Sequence, residues 1–153
     1  MSDRRGFTLI ETLVALVVVS LGLLITIPHV RNGLTQNTLL NTRAKVISLY
    51  YTARAVSSST GRVSYLHLKN NQMYVTAQPR RKTPIGANTI DTIGVPENVS
   101  TLYGVSVATN PSTDSIKIDQ TGLGAGGQTV TIRFTKGSRK DSIQISSYGR
   151  VMK

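Results

Sequence analysis

Between Phe7 and Val30 the chain holds sixteen apolar residues, among them the unbroken run Leu13-Val14-Ala15-Leu16-Val17-Val18-Val19. From Phe7 to Ile27 is twenty-one residues. As an α-helix rising ~1.5 Å per residue this stretch spans ~30 Å, the thickness of a bilayer's hydrocarbon core. A secretory signal peptide is the first rival reading. Its apolar core is usually only ~7–15 residues long and ends at a small-residue cleavage site. Thr26-Ile27-Pro28-His29-Val30 offers no convincing site of that kind, so the segment is expected to stay on the chain as a transmembrane helix.

The remainder is long enough for one domain. The chain has 153 residues, a formal net charge of +11, no cysteine and two histidines. Without cysteine there is no disulfide framework, no thiolate metal site and no cysteine nucleophile. His29 and His67 lie far apart, and neither sits in an H-E-x-x-H arrangement. The glycine-rich run Gly122-Leu123-Gly124-Ala125-Gly126-Gly127 is followed by Gln128-Thr129 and then a strand pattern. A phosphate-binding loop requires G-K-[ST] ahead of a helix, so this run reads as a flexible loop. Asp114 and Asp119 lack the dense oxygen cluster that calcium needs. The chain is therefore expected not to be an enzyme, and no cofactor or metal is expected.

Glu11 is the anomaly of the apolar segment. A carboxylate there costs on the order of 2–3 kcal/mol near a bilayer centre and less near its edge. Either it is a tolerated charge near the interface or it has a partner. A cut between Gly6 and Phe7 would free an α-amine, a cation able to pair with that carboxylate. These residues carry a resemblance. Arg4-Arg5-Gly6-Phe7-Thr8-Leu9-Ile10-Glu11 resembles the class III signal of type IV pilins and type II secretion pseudopilins: a short basic leader, then Gly, then Phe-Thr-Leu-Ile-Glu opening an apolar helix. The resemblance implies cleavage by a prepilin peptidase between Gly6 and Phe7, N-methylation of Phe7, and an assembly role for Glu11. It also implies a bacterial inner-membrane location, single-pass, with a cytoplasmic N-terminus and a periplasmic head. Charge alone does not set that orientation, because Arg4 and Arg5 precede the span while Arg31, Arg43 and Lys45 follow it. Pro28 matches a proline common in that family, and it removes one i→i−4 hydrogen bond, which kinks or loosens the helix.

Past Pro28, Leu39, Leu40, Val46, Ile47, Tyr50 and Ala53 recur at helical spacing. They predict an amphipathic helix with Arg43, Lys45 and Arg54 mainly outside its apolar stripe. Ser57-Ser58-Ser59-Thr60-Gly61 ends it. One helix from Phe7 to Ser59 would be ~80 Å long. After Gly61 the pattern turns to short strands. Val63 to Leu68, Asn70-Asn71 and Met73 to Thr76 predict a hairpin. Further strands are expected at Val99 to Val107, Ser115 to Ile118, Thr129 to Phe134 and Ser142 to Ser146. The fold class is α+β: a long N-terminal helix packed on a β-rich C-terminal head. The expected parts are a cleaved leader at 1–6, a transmembrane or filament-core helix at 7–30, an amphipathic helix at 31–60 and the head at 61–153. Ala53-Arg54-Ala55, Gly61-Arg62-Val63, Gly122-Leu123-Gly124, Thr129 to Ile132 and Gly149-Arg150-Val151 look like the GspH/FimT branch of the same superfamily. That branch implies a head of two antiparallel sheets, and partners that are other major and minor (pseudo)pilins and the inner-membrane assembly platform.

Positive charge is the main surface signal. Residues 31–153 contain sixteen Lys/Arg against five Asp/Glu, and Arg133 to Lys153 holds six basic residues against Asp141 alone. Arg80-Arg81-Lys82 and Lys136, Arg139 and Lys140 are clusters. Such patches attract polyanions or acidic protein faces, or simply aid solubility. Some FimT-like minor pilins bind DNA through a C-terminal G-R-x-R motif. Here Gly149 and Arg150 match, Met152 replaces the second Arg, and Lys153 follows one place later. Alternate residues of a strand face opposite sides, so Lys153 is a poor substitute. The resemblance leaves two roles: a GspH-like minor pseudopilin of a type II secretion system, or a FimT-like pilin binding DNA through Arg150, Lys153, Arg139, Lys140 and Lys136.

Overall fold

The structure, a computed structural model, describes residues 8–79, 90–123 and 127–153. The element order is α1 (Leu9–Thr60), β1 (Ser64–Lys69), β2 (Gln72–Ala77), β3 (Asp91–Asn98), α2 (Val99–Tyr103), β4 (Ser106–Asn110), β5 (Ser115–Ile118), β6 (Val130–Lys136), β7 (Arg139–Ile145) and β8 (Val151–Met152). Contacts divide the chain into two compact units, Met1–Gln36 and Asn37–Lys153.

In the first unit, α1 is long and apolar enough to cross a membrane, and none of its most apolar stretch is buried. Its hydroxyls turn back on its own backbone: Thr12 donates to the Leu9 carbonyl, Ser20 to Leu16 and Thr26 to Gly22, each at 2.8 Å. Bonded in this way, Ser and Thr place no unsatisfied polar group in an apolar medium. The helix runs through Pro28 without a break.

In the second unit, α1 buries Leu39, Thr42, Val46, Tyr50, Ala53 and Ser57. Their three- and four-residue spacing makes one stripe along the helix. Sequence reading finds the apolar members and overlooks Thr42 and Ser57. Both are satisfied where they lie. Thr42 bonds the Thr38 carbonyl at 2.9 Å, and Ser57 meets Ser64 at 2.6 Å while Ser64 donates to the Ala53 carbonyl at 2.8 Å. Leu40, expected in the stripe, is exposed. Arg43, Lys45 and Arg54 lie outside the stripe, half-buried along its flanks. The helix ends at Gly61, whose φ of 63° lets its N–H reach the Ser57 carbonyl at 2.9 Å.

Two four-stranded antiparallel sheets complete this head, in the orders β3-β2-β1-β5 and β4-β6-β7-β8. Leu66, Leu68, Met73, Val75, Ile116 and Ile118 from the first sheet join Val130, Ile132, Phe134, Ile143 and Ile145 from the second and the α1 stripe in one core. The β1–β2 hairpin turns on Asn70 and Asn71, with φ of 52° and 59°, the geometry that suits the twist of a two-residue hairpin.

One stretch departs from expectation. Val99 to Val107 was expected to be a strand. Instead Val99–Tyr103 is a short helix, and strand begins again at Ser106. The Asn98 side chain accepts from the Thr101 N–H at 3.1 Å, and Gly104, at φ 61°, closes the other end through the Ser100 carbonyl. The strand lies just before it, at Asp91–Asn98, where Gly94 and Pro96 hide the pattern. As an edge strand with a register shift opposite Met73 and Val75, it tolerates both residues.

Candidate functional site

Gly6 and Phe7 lie outside the described residues, so the site begins at Thr8. The Glu11 N–H reaches the Thr8 carbonyl at 3.1 Å and the Thr8 hydroxyl at 3.3 Å, and the Thr12 N–H reaches the Thr8 carbonyl at 3.2 Å. Thr8 therefore caps α1, and Glu11 is the third helical residue. Thr8-Leu9-Ile10-Glu11 fits the S/T-x-x-E pattern of a capping box, a signal present in the sequence but not used in reading it. Glu11 is exposed in the helix's first turn, where the macrodipole favours a carboxylate by about 0.3–1 kcal/mol. The position thus has a local reason to be acidic, and its side chain remains exposed to a partner.

At the other end of the chain a tight turn presents Arg150. The Gly149 N–H donates to the Ser146 carbonyl at 2.8 Å, the Ser146 N–H to the Arg150 carbonyl at 2.9 Å, and the Arg150 N–H to the Ser146 hydroxyl at 3.0 Å. Gly149 turns at φ 79°. Its carbonyl is gripped from α1: the Tyr50 hydroxyl donates at 3.1 Å and an Arg54 guanidinium nitrogen at 3.3 Å. Arg54 Nε also donates to the Gly122 carbonyl at 2.7 Å. Burial holds the Tyr50 phenol above its ordinary pKa, opposed in part by Arg54, so it stays protonated and donating throughout the physiological range. Gly122 is needed twice. Its φ is 73°, and a Cβ there would come within 3.0 Å of the Arg54 carbonyl oxygen. The helix thereby fixes two loops, with Tyr148 almost wholly exposed at the tip of one and Arg150 exposed beside it. The grip of Tyr50 and Arg54 on the Gly149 and Gly122 carbonyls is the part that sequence reading misses. No local spacing reports a bond between residues 99 positions apart.

The other candidate bases do not gather around Arg150. Lys136, Arg139 and Lys140 sit at the β6–β7 hairpin, whereas the Arg150 turn follows the opposite end of β7. Seven residues of strand put about 20 Å between the two places. Lys136 is engaged, its ammonium donating to the Tyr103 carbonyl at 2.7 Å. Met152, paired with Gln144, is partly exposed on the outer side of the sheet, and Lys153 follows the last strand. Arg80, Arg81 and Lys82 lie outside the described residues, as do Gly124 to Gly126 of the glycine-rich run. Among the described residues no group of three or more His, Asp or Glu is placed to hold a metal.

Comparison with known proteins bears on both ends. Residues 1–27 match the family described as the prokaryotic N-terminal methylation motif. The fold is similar to that of the type IV minor pilin FimU of Pseudomonas aeruginosa (strain PAO1), solved in two crystal forms. In one the TM-score is 0.57 at 12% identity, covering 76% of this chain and 88% of that one. In the other it is 0.54 at 11% identity, covering 74% and 90%. No curated protein matches the sequence.

Proposed function

We propose that this chain belongs to the type IV pilin superfamily, as its methylation motif and its fold support, and works as a minor structural subunit of a filament, specifically a GspH-like minor pseudopilin of a type II secretion system. The observation that carries the reading is the sequence of parts along α1. A methylation motif opens a helix whose exposed apolar stretch can be stored in a bilayer, and that helix continues into the core of a β-rich head. In this reading the inner membrane holds the subunit by a single span with the head in the periplasm. A prepilin peptidase cuts between Gly6 and Phe7, and the new Phe7 is N-methylated. An inner-membrane assembly platform then moves the helix into a filament of other major and minor subunits. There the Glu11 carboxylate neutralises the Phe7 amine of a neighbour in a medium of low dielectric, where an unpaired charge is expensive.

The capping geometry selects the test. Gln serves a capping box as Glu does, so Glu11→Gln removes the charge and leaves the helix start intact. The variant is expected to mature normally, with mass spectrometry finding a methylated Phe7 at its N-terminus, and to be lost from the filament. Full incorporation of Glu11→Gln would overturn the pairing. A chain that keeps residues 1–6 in its host would overturn the subunit reading itself.

A second reading, a FimT-like pilin that binds DNA, is favoured by one feature: the clamped turn that holds Arg150 out beside Tyr148. Binding of duplex DNA by the full chain in detergent, steeply weakened by salt and by Arg150→Ala, would select it over the pseudopilus.

A further inference from the structure

Residues 31–153 carry five carboxylates against sixteen Lys and Arg. Four of the five are closed in ion pairs with the chain's own bases: Arg43–Asp141 at 3.2 Å, Lys45–Glu97 at 2.8 Å, Arg62–Asp91 at 2.7 Å and Lys69–Asp114 at 2.5 Å. Two of these pairs fasten α1 to strands β7 and β3. The acids therefore serve the fold, and the surface keeps the uncompensated bases. A second copy would bring the same excess of positive charge, and like charges brought together across an interface are costly.

The register shows where a partner of the opposite sign fits. On the outer side of the sheet β4-β6-β7-β8, Ser106, Thr135 and Lys140 form one cross-strand row, and Ala108, Arg133 and Ser142 form the next. Arg133 and Lys140 are thus diagonal neighbours, about 7–8 Å apart. Both are exposed, and neither has an ion pair among the described residues. A groove of about 400 Å³ opens between them, lined by Ala108, Arg133, Thr135, Lys140, Asp141 and Ser142. Asp141 does not neutralise it, because one carboxylate oxygen takes Arg43 and the other takes the Ser142 N–H at 2.9 Å. An entering group meets a guanidinium fork, an ammonium and two hydroxyls over a small alanine floor. That set suits a carboxylate, which Arg can hold through two parallel bonds. The two rows present no aromatic ring on which a base could stack, the usual second component of a single-stranded nucleic-acid site.

We propose that this face, centred on Arg133 and Lys140, docks a carboxylate-rich patch of a different protein subunit, and that the chain does not pack head to head with its own copies. The proposal rests on the filament-subunit reading and names the kind of neighbour that subunit takes.

The test uses the full chain in detergent with a short poly-L-glutamate as probe. Glutamate binding is expected, weakening with added salt and falling about tenfold in Arg133→Ser/Lys140→Ser. It is expected to persist in Lys117→Ser, which removes an exposed base from the other sheet. Sedimentation is expected to show no head-mediated self-association. Equal glutamate binding by the double variant and the unaltered chain would overturn the proposal. So would an oligo-dT that displaces the peptide and binds more tightly through the same two residues, because the face would then take a phosphate polymer. Self-association abolished by the double variant would overturn it as well. None of these outcomes bears on maturation at Phe7 or on the Glu11→Gln result, so failure of the docking face and failure of the subunit reading are separable.

Discussion

The two halves of α1 share one backbone conformation and solve opposite problems. Up to Gln36 the helix exposes large apolar side chains on every side, with Leu9, Leu16, Val18 and Leu24 each more than 60% exposed. From Leu39 to Ser57 it buries one stripe and leaves the opposite side to water. Their polar groups differ in the same way. Thr12, Ser20 and Thr26 bond to carbonyls one turn back, whereas Tyr50 and Arg54 reach carbonyls of Gly149 and Gly122 in distant loops. The first half must find its apolar surroundings outside its own chain, in a bilayer or among other helices. The second half finds them in its own head. What separates the halves is the spacing of the apolar residues, continuous in one and periodic in the other, because both are rich in Leu, Val and Ile.

One substitution placed in each half tests that division most severely. In Val46→Asp a carboxylate replaces a fully buried side chain in the core. With no basic partner in the stripe it costs about 3–5 kcal/mol, a large share of a domain's total stability. The expected result is loss of cooperative thermal unfolding, followed by circular dichroism of the full chain in detergent. Val17→Asp puts the same group in the exposed apolar half, at a penalty of about 2.5–3.5 kcal/mol for membrane insertion. Membrane retention under alkaline extraction is expected to fall, while the head's unfolding temperature stays where it was. If Val17→Asp lowers that temperature, the halves are not independent and the comparison fails.

How far each part was legible follows from the same distinction. The apolar span, the amphipathic continuation, the Asn70-Asn71 hairpin and the strands around Ile116, Ile132 and Ile143 all carry their periodicity in adjacent residues. Sequence therefore placed them to within a few positions. The stretch from Asp91 to Asn110 did not yield. Its strand lies on a sheet edge, where Gly94 and Pro96 are tolerated and the alternation is weak. Asn98 and Gly104, the caps of the short helix, went unread, because the apolar and β-branched residues between and after them match a strand pattern. At the site, Glu11 was legible as a charge out of place, and the Thr8 cap was legible in principle. The grip of Tyr50 and Arg54 on the Arg150 turn was not, because it exists only once a distant loop has folded onto the helix. The basic residues of the C-terminal stretch are a cluster in sequence only. A hairpin and the length of β7 carry them to different ends of one sheet.

The smallest expected effect lies in the head and distinguishes the halves by pH. His67 stacks on Tyr74, with ring centroids 4.5 Å apart and planes 10° from parallel, and its Nε2 lies 2.9 Å from the Thr76 hydroxyl. Burial holds its imidazole below its ordinary pKa, opposed in part by the Asp114 carboxylate, which is itself paired with Lys69. In the unfolded chain the same imidazole titrates near about 6.5. Between that value and the lower folded one, the unfolded state binds a proton that the folded state refuses. The His67 contribution is therefore complete above about pH 6.5 and declines as the pH falls through the folded pKa. The head's unfolding temperature is expected to drop modestly between about pH 7.5 and about pH 5.5, a window above the ordinary titration of Asp and Glu. His67→Phe keeps a ring against Tyr74 and removes the proton site, so it should flatten that slope. Membrane retention, carried by the other half, is expected to stay constant over the window. A slope that survives His67→Phe would show that the pH sensitivity of the head does not reside in this imidazole.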